Sequence, residues 1–367
     1  MQLRYKIAVG ILIFLGVAMT SLALVLSHNA ACEPAPAISA ESETMKAIVH
    51  RCYGSPDVLK FEDVEKPTPA DDEVLVKVVA AAVNPLDWHY MRGTPYFLRL
   101  KSGLGAPDDT GLGVDFAGTV EAVGSSVTRF KPGDAVFGGG KGAFAEYVSV
   151  REDRALAIKP ANVSFEQAAS VPIAAITALQ ALRDIGKLQS GQKVLINGAS
   201  GGVGTFAVQI AKSMGAEVTG VCSTRNVEMV LSIGADHVFD YKKEDYTESG
   251  QQYDLIIDMV GNHSLTANRR ALKPDGIFVI VGGPKGNWLE PLMAPIKALM
   301  LSPFVDQEFV MILAKLRQDD LMILADLMQA GKVTPVIDSR YPLSEVQAAI
   351  RHSEDGHTRG KIIIEVQ

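Results

Sequence analysis

Short apolar runs separated by glycine and polar turns fill the second half of the chain, and they predict alternating strands and helices. Residues 193–197 form an apolar run typical of a buried parallel strand. A glycine cluster follows at 198–204, and residues 205–214 carry apolar side chains at helical spacing. Later strands are predicted at residues 217–221, 255–258 and 277–281. This order predicts an α/β fold with a doubly wound parallel sheet.

The stretch from residue 45 to about residue 160 has a different pattern: short runs typical of β-strands, separated by frequent proline and glycine turns. Its strands are predicted at residues 45–49, 73–79, 117–123 and 135–137. Residues 164–184 are helical in pattern, and strands at 333–337 and 360–366 are predicted to return to the first domain. The predicted divisions are an N-terminal anchor (1–27), a linker (28–44), a β-rich domain (45–165), a nucleotide-binding domain (166–330) and the return (331–367).

The first residues predict a membrane anchor. Arg4 and Lys6 precede residues 7–26, about 20 residues without a charge, which is long enough to span a bilayer as a helix. A cleaved secretory signal is the alternative, but its apolar region is usually shorter. We therefore expect a single-pass, uncleaved helix. The basic residues before it place the folded part outside the cytoplasm.

The glycine cluster carries the chemistry of dinucleotide binding. Gly198 permits a tight turn, Gly201 and Gly202 let the backbone approach a pyrophosphate, and Gly204 lets the helix pack on the strand. The helix N-terminus offers free N–H groups to that pyrophosphate. A purely structural glycine turn is the alternative. The residues predicted to contact the cofactor here are Gly198, Ser200, Gly201, Gly202, Val203 and Gly204.

The end of the next predicted strand favours NADPH over NADH. An NAD site places a carboxylate there to hold the ribose 2′-hydroxyl. This chain has Ser223, Thr224 and Arg225 instead, and two hydroxyls and a guanidinium suit a 2′-phosphate. Because NADPH is a cytoplasmic coenzyme, this prediction conflicts with the predicted membrane side, and the sequence leaves that conflict open.

Charge and cysteine content argue against several classes of protein. The formal net charge of −7 argues against a nucleic-acid-binding surface. Three cysteines are too few for a disulfide framework or a four-cysteine zinc loop. An unusually apolar stretch, residues 288–313, is expected to belong to the core, with a substrate pocket, a subunit contact or a membrane-facing patch as alternatives.

Four stretches carry a family resemblance: residues 83–88, residues 113–120, residues 142–147 with 172–182, and the glycine cluster at 198–204. They resemble the medium-chain dehydrogenase/reductases, in the zinc-independent quinone oxidoreductase branch. Residues 336–339 and 356–363 are similar to the C-terminal end of the chloroplast-envelope quinone oxidoreductase and alkenal/oxo reductase type. The resemblance covers residues 45–367 and implies a GroES-like substrate domain, an inserted Rossmann domain and an active cleft between them.

The same comparison with the family predicts a site without metal. Zinc-dependent members carry a cysteine where Asn84 stands and Gly-His-Glu where residues 113–115 stand. The seven histidines are scattered singly, and a catalytic zinc needs three protein ligands. A quinone or conjugated enone is the acceptor expected without a Lewis acid, because the charge spreads over an enolate that hydrogen-bond donors can hold.

Family position predicts the side chains of the cleft. Asn84 and Asp87 are expected at the substrate, although Asn-Pro and Asp are also common in turns. Tyr90 and Tyr96 are candidate proton donors, with packed aromatic rings as the alternative, and His89 is a weaker candidate. The resemblance further assigns cofactor contacts to Thr177, Tyr241, Val260, Gly261, Gly282, Gly283 and Lys361.

These observations predict a membrane-anchored, NADPH-dependent reductase of a quinone or an α,β-unsaturated carbonyl compound, with a small apolar molecule as its acceptor. Two alternatives stay open. One is a zinc-free dehydrogenase acting on alcohols, and the other is an NADPH-binding membrane protein without turnover. The family is often dimeric, so a homodimer is an expectation.

Overall fold

The structure is a computed structural model that describes residues 2–288, 290–301 and 305–367. Its described strands are β1 Thr44–Val49, β2 Lys60–Glu65, β3 Glu73–Ala82, β4 Asp115–Val123, β5 Ala135–Gly139, β6 Tyr147–Arg151, β7 Leu156–Ile158, β8 Lys193–Asn197, β9 Glu217–Cys222, β10 His237–Asp240, β11 Tyr253–Asp258, β12 Leu272–Ile280, β13 Glu308–Met311, β14 Ile337–Pro342 and β15 Lys361–Glu365. Its described helices are α1 Gln2–Ser27, α2 Pro85–Arg92, α3 Arg99–Ser102, α4 Phe165–Ala169, α5 Pro172–Gln180, α6 Gly202–Ser213, α7 Val227–Ser232, α8 Leu265–Arg270, α9 Met293–Leu301, α10 Gln318–Gln329 and α11 Val346–Glu354.

A six-stranded parallel sheet forms the nucleotide-binding half, in the order β10-β9-β8-β11-β12-β13. Central strand β8 has three fully buried side chains, Val194, Leu195 and Ile196, because helices and loops cover both of its faces. Helix α6 packs against β8 and β9. The predicted doubly wound parallel sheet is therefore confirmed.

A second, mainly antiparallel sheet has the order β14-β15-β3-β4-β5-β7, with β6 also paired to β3. Strand β15 pairs with β3, so that the C-terminus returns to the β-rich half as predicted. The predicted strand at residues 333–337 is wrong, because β14 begins only at Ile337. The Gln209 side chain instead holds both backbone groups of Thr334, donating to its carbonyl at 3.0 Å and accepting from its N–H at 2.7 Å.

One hydrophobic core joins the two sheets. It includes Ala80 and Ala117 of the antiparallel sheet, Val194 of the parallel sheet, and the intervening α5 residue Ile176. Helix α5 is almost wholly buried and packs against α6 and β5. The two halves are thus held in fixed relation, with the loops at the sheet edges facing each other.

The predicted membrane-spanning segment at residues 7–26 lies within α1. Among the described residues, we find no helix with the combined length and apolarity that crossing a membrane requires. The side chains of residues 8, 11 and 12 fall outside the described residues. The prediction of a transmembrane helix is therefore not supported.

The linker after α1 is attached to the β-rich half. Cys32 and Cys52 form a disulfide with a Cα–Cα distance of 4.7 Å, although the cysteine count did not predict a disulfide framework. Ala30 also donates its N–H to the carbonyl of Gly105 at 2.9 Å. Disulfides persist mainly in oxidising surroundings.

The apolar stretch at residues 288–313 is not the plain core that was expected. In α9 only Ala298 is buried, whereas Leu299 is 77% exposed. Leu313 is likewise exposed. Much of this stretch therefore presents apolar side chains at the surface.

Candidate functional site

The carboxyl ends of the parallel strands meet at one edge of the sheet and bring the predicted cofactor residues together. Strand order reverses between β8 and β11, which is where such sheets bind nucleotides. Asn197, at the end of β8, bridges this point by donating to Asp258 at 2.9 Å and to Asn262 at 2.8 Å. These bonds fix the two strand ends on either side of the crevice.

The glycine loop has the predicted shape. Gly198 has φ +91°, a conformation that favours glycine. A Cβ on Gly204 would lie 2.1 Å from the carbonyl oxygen of Gly198, so the turn closes only with glycine there. Gly201 precedes α6, and a Cβ on it would meet its nearest atom, the carbonyl oxygen of Gly198, at 3.5 Å, an ordinary van der Waals contact. The N-terminus of this 12-residue helix therefore points free N–H groups at the loop.

The rest of the loop contacts the C-terminal strand. Ser200 accepts the N–H of Gly360 through its carbonyl at 2.9 Å. A Cβ on Gly202 would lie 3.2 Å from Cδ of Lys361. Val203 is partly buried and packs against the main core. The loop thus adjoins the β-rich half.

The predicted 2′-phosphate residues lie at the ends of β9 and β10. Ser223 is buried, and Thr224 donates its hydroxyl to Asp240 at 2.7 Å. Arg225 is exposed and donates to the carbonyl oxygen of His357 at 2.6 Å. Tyr241 is also exposed. A guanidinium and a phenol ring therefore face solvent where an adenosine phosphate is expected.

Asn226 is a site residue that the sequence analysis missed. It is only 4% exposed, and its amide nitrogen donates to the hydroxyls of Ser200 and Ser223 at 3.0 and 3.3 Å. Its Oδ1 is buried without a hydrogen-bond partner among the described residues. An orphaned polar atom beside the glycine loop fits a bound group that offers a hydrogen bond, such as a ribose hydroxyl. The residues present therefore fit a dinucleotide.

Two further loops complete the edge. Asp258 accepts the N–H groups of Val260 and Gly261 at 2.9 and 3.0 Å, and its carbonyl accepts that of Gly282 at 3.2 Å. A Cβ on Gly261 would lie 2.9 Å from Cα of Gly283, so the two loops are in close contact. Thr177 lies on α5 and donates its hydroxyl to the carbonyl of Ile173.

A buried polar network occupies the substrate side. The Lys361 ammonium donates to Oδ1 of Asn84 at 2.6 Å and to the carbonyl of Val83 at 3.0 Å. It also lies 3.5 Å from the Asp115 carboxylate. Asn84 donates its amide to the same carboxylate at 3.0 Å, and Asp115 accepts the N–H of Ile173 at 3.0 Å. In this arrangement the Lys361 ammonium is engaged by protein oxygens of Val83, Asn84 and Asp115. The predicted contact between Lys361 and a phosphate of the coenzyme stays a prediction.

Asp87 lies within this network as a helix-capping group. Its carboxylate accepts the backbone N–H of Asn84 at 2.7 Å, at the start of α2. Burial, and secondly the nearby Asp115, raise the pKa of Asp87 to about 7. Burial also raises the pKa of Asp115 and lowers the pKa of Lys361, whereas the charge of each of these two groups opposes the shift of the other. Burial therefore disfavours the charged form of each group, and the contact between Lys361 and Asp115 offsets part of that cost.

The two candidate proton donors stand in different surroundings. Tyr90 is 41% exposed on α2. Tyr96 is partly buried, and its ring meets the Trp288 ring edge-to-face at 4.7 Å. Neither hydroxyl has a hydrogen-bond partner within the part of the chain that is described. His89 bonds to the carbonyl of Thr94 at 2.7 Å, and burial lowers its pKa.

Within the described residues, no group of three or more His, Cys, Asp or Glu side chains is arranged to hold a metal ion. The position of the family's zinc-binding cysteine holds Asn84, whose amide and carbonyl both face protein groups.

Comparison with known proteins agrees with this architecture. Residues 70–160 match the alcohol dehydrogenase GroES-like domain, and residues 233–364 match a family described as zinc-binding dehydrogenase. The chain is 35% identical over 338 residues to a chloroplast envelope quinone oxidoreductase homolog from Arabidopsis thaliana, covering 88% of this chain and 98% of the relative. It belongs to the medium-chain dehydrogenase/reductase family.

Within this medium-chain dehydrogenase/reductase family, relatives named as quinone oxidoreductases and as an alkenal/one oxidoreductase support the zinc-independent quinone oxidoreductase branch. A chloroplastic NADPH-dependent alkenal/one oxidoreductase from Arabidopsis thaliana is 33% identical over 335 residues, covering 87% of this chain and 79% of the relative. The solved quinone oxidoreductase from Coxiella burnetii superposes with a TM-score of 0.78 at 32% identity, covering 89% of this chain and all of that one (100%). The predicted family and branch are thus confirmed.

Proposed function

We propose that this protein reduces a quinone or an α,β-unsaturated carbonyl compound with NADPH as the hydride source. The observation that carries the proposal is the meeting of two sets of groups at one place. The glycine loop and the strand ends of the parallel sheet face the buried Asn84–Asp115–Lys361 network of the other half, and Gly202 lies against Lys361. The coenzyme is NADPH, as in the alkenal/one oxidoreductase to which the chain is similar.

The chain's own residues would hold the coenzyme along the sheet edge. We assign the pyrophosphate to the residue 198–204 loop, the 2′-phosphate to Ser223, Thr224, Arg225 and Tyr241, and the ribose hydroxyls to Asn226. The loops at Val260, Gly261, Gly282 and Gly283, with Thr177, would surround the nicotinamide end. When bound, the coenzyme supplies a hydride equivalent.

The substrate side would bind the acceptor and provide a proton. Reduction of an enone adds a hydride at the β-carbon and a proton at the α-carbon, and negative charge collects on the oxygen between these events. Tyr90 and Tyr96 carry hydroxyls suited to donate that proton or to hold the oxygen. Asn84 and Asp87 would keep the start of α2 in place beneath the acceptor.

A substrate panel tests the proposal. Purified protein, treated with EDTA and dialysed, is expected to oxidise NADPH when a small enone or quinone is added, and to use NADH poorly. Oxidation of an alcohol that depends on added zinc would contradict it. Tight NADPH binding without turnover on any acceptor would favour the non-catalytic alternative instead.

Domain limits, membrane attachment and assembly are further proposals. We propose a GroES-like domain at residues 45–165, a Rossmann domain at 166–330 and a return of the chain to the GroES-like domain at 331–367.

Exposed apolar side chains of α1, such as Phe14, Met19 and Leu24, support attachment of the N-terminus to a membrane. Relatives named for the chloroplast envelope and the mitochondrion support a location in an organelle. Carbonate extraction of the full chain tests this.

A homodimer is supported by the position of β13, which lies at one edge of the parallel sheet among the described strands, since a strand at a sheet edge can pair with a second copy. Light scattering on the purified full chain measures its mass. A monomer at micromolar concentration would contradict the proposal.

A further inference from the structure

Arg99 is a buried arginine whose hydrogen-bond acceptors, among the described residues, include no carboxylate. It is 1% exposed, and all five N–H groups of its guanidinium have acceptors. Nε donates to Gly93, and the two terminal nitrogens donate to four further oxygens. Those acceptors are the carbonyls of Leu26, His28 and Arg92 and the side-chain oxygen of Asn29, at 2.8 to 3.3 Å.

The charge of Arg99 is compensated in two other ways. The guanidinium carbon lies 4.3 Å from the centre of the Tyr53 ring and 4.7 Å from that of the Tyr96 ring, so two aromatic faces flank it. Leu26 is in the last turn of α1, where the helix carbonyls carry partial negative charge. The cation thus caps the end of the N-terminal helix from inside the β-rich half.

The segment that Arg99 binds is fastened independently. We call residues 26–32 the N-terminal strap. Leu26 is buried, Ala30 bonds to Gly105, and Cys32 is joined to Cys52 by the disulfide. Tyr53, next to Cys52, donates its hydroxyl to the carbonyl of Gly103 at 2.9 Å. The strap therefore has a defined place beside the ring that stacks on Arg99.

On its other side Arg99 contacts the candidate acceptor wall. Tyr96 packs its ring on both Arg99 and Trp288, and its backbone N–H donates to the carbonyl of Asn287 at 2.8 Å. Residues 287 and 288 belong to the loop that follows β12 and the predicted nicotinamide contacts at Gly282 and Gly283. A continuous chain of contacts thus runs from the strap through Arg99 and Tyr96 to the coenzyme half.

We propose that Arg99 is a positioning residue for the acceptor, which fixes the Tyr96 ring against the Trp288 loop by tying it to the N-terminal strap. The inference rests on the proposed function, because it takes Tyr96 to be part of the acceptor site. Its consequence is that the strap, which lies outside the region resembling the family, helps to set acceptor affinity.

Substitutions in the full-length protein test this. Arg99→Lys keeps the charge but has three N–H donors in place of five and lacks the planar fork of the guanidinium. We expect KM for the acceptor to rise about tenfold, with KM for NADPH changed less than about twofold. Asn29→Ala removes a single acceptor and is expected to raise KM for the acceptor about threefold, which keeps the test valid if Arg99→Lys does not fold. Ser27→Ala is the matched control in the same strap, since its hydroxyl bonds only weakly to Leu24.

Tryptophan emission gives a readout that does not need turnover. The chain has 2 tryptophans, so a Trp88→Phe background isolates Trp288. We expect Arg99→Lys and Asn29→Ala to shift Trp288 emission to longer wavelength and Ser27→Ala to leave it unchanged. Unchanged emission and KM in both variants would overturn the inference, as would equal rises of KM for acceptor and coenzyme. If the wild-type protein proves inactive, the proposed function fails and the emission measurement alone decides whether Arg99 positions the Tyr96–Trp288 contact.

Discussion

The Lys361 ammonium lies 2.6 Å from Oδ1 of Asn84, which joins the C-terminal strand to the start of the first helix of the substrate side. Both side chains are almost fully buried. The bond spans 277 residues of sequence, and the stem of Lys361 passes the glycine loop at Gly202. Lys361 therefore connects the predicted coenzyme loop with the predicted acceptor site.

Replacing Lys361 with Met is expected to destabilise the fold. The change leaves Asp115 buried without its cation and the Asn84 oxygen without its donor, and removal of one partner of a buried pair costs about 3 kcal/mol or more. Urea unfolding followed by circular dichroism measures it. Lys332→Met, at an exposed position, is the control. Equal stability of the two variants would contradict the role given to Lys361.

Two glycines of the loop are expected to respond differently to alanine. Gly204→Ala places a Cβ 2.1 Å from the Gly198 carbonyl and should lower both the melting temperature and the affinity for NADPH. Gly201→Ala meets its nearest atom at 3.5 Å and should leave the melting temperature nearly unchanged. It should still weaken NADPH binding, because the added methyl group faces the pyrophosphate site. Calorimetric titration that finds wild-type affinity in Gly201→Ala would argue against this placement.

Stability is expected to fall as the pH rises through the titration range of Asp87. In the folded protein its pKa is raised from 3.8 to about 7, so the fold holds a proton that the unfolded chain has already released in this window. Asp87→Asn keeps an acceptor for the Asn84 N–H and should flatten this dependence. The melting temperatures of the wild-type protein and of Asp87→Asn are compared from about pH 5 to about pH 8, a range that includes the raised pKa of Asp87. A dependence of equal slope in both proteins would show that Asp87 is not its source.

Arg225 is expected to discriminate between the two coenzymes. Arg225→Gln removes a guanidinium from the predicted 2′-phosphate site and should raise KM for NADPH about tenfold, the effect of losing one charge-assisted hydrogen bond. KM for NADH should stay unchanged, since that coenzyme lacks the phosphate. Arg154→Gln, at another exposed arginine, is the control. A parallel rise for NADH would mean that Arg225 acts through its bond to His357 rather than on the phosphate.

Tyr96 is the stronger of the two candidate proton donors, because its ring is held by Arg99 and Trp288 whereas Tyr90 is largely exposed. Tyr96→Phe keeps the ring and should lower kcat about 10²-fold if its hydroxyl delivers the proton. Tyr147→Phe serves as the control, because Tyr147 lies on β6 with its ring against the Lys66 ammonium. Full turnover in both Tyr96→Phe and Tyr90→Phe would remove both candidates without affecting the family.

Local patterns predicted the parts of the fold that local physics determines. The strands at 193–197 and 217–221 are short runs rich in β-branched and other apolar residues, which are typical of a buried parallel sheet, and the glycine loop between them requires glycine for its backbone shape. The strand prediction at 333–337 is wrong because the side chain of Gln209, which belongs to α6, binds the backbone of Thr334 in place of a neighbouring strand. Apolar content also misled at 288–313, since it does not reveal which side of a helix meets the core.

Contacts between residues far apart in the sequence shape the site, and the sequence pattern does not predict them. Arg99 lies 73 residues from one of its acceptors, Leu26, and nothing in the local pattern distinguishes it from a surface arginine. Asn226 follows the predicted phosphate residues directly, but the unpartnered Oδ1 that marks it as a site residue is visible only in the structure.

The position of a deuterium label in the product tests the proposed hydride transfer most directly. NADPH carrying deuterium at both C4 positions of the nicotinamide is incubated with a small enone and EDTA-treated protein, and the product is analysed by NMR. Hydride transfer from the coenzyme to the enone predicts deuterium at the former β-carbon of a saturated ketone. Deuterium on the carbonyl carbon of an alcohol, or a product that contains no label, would contradict it.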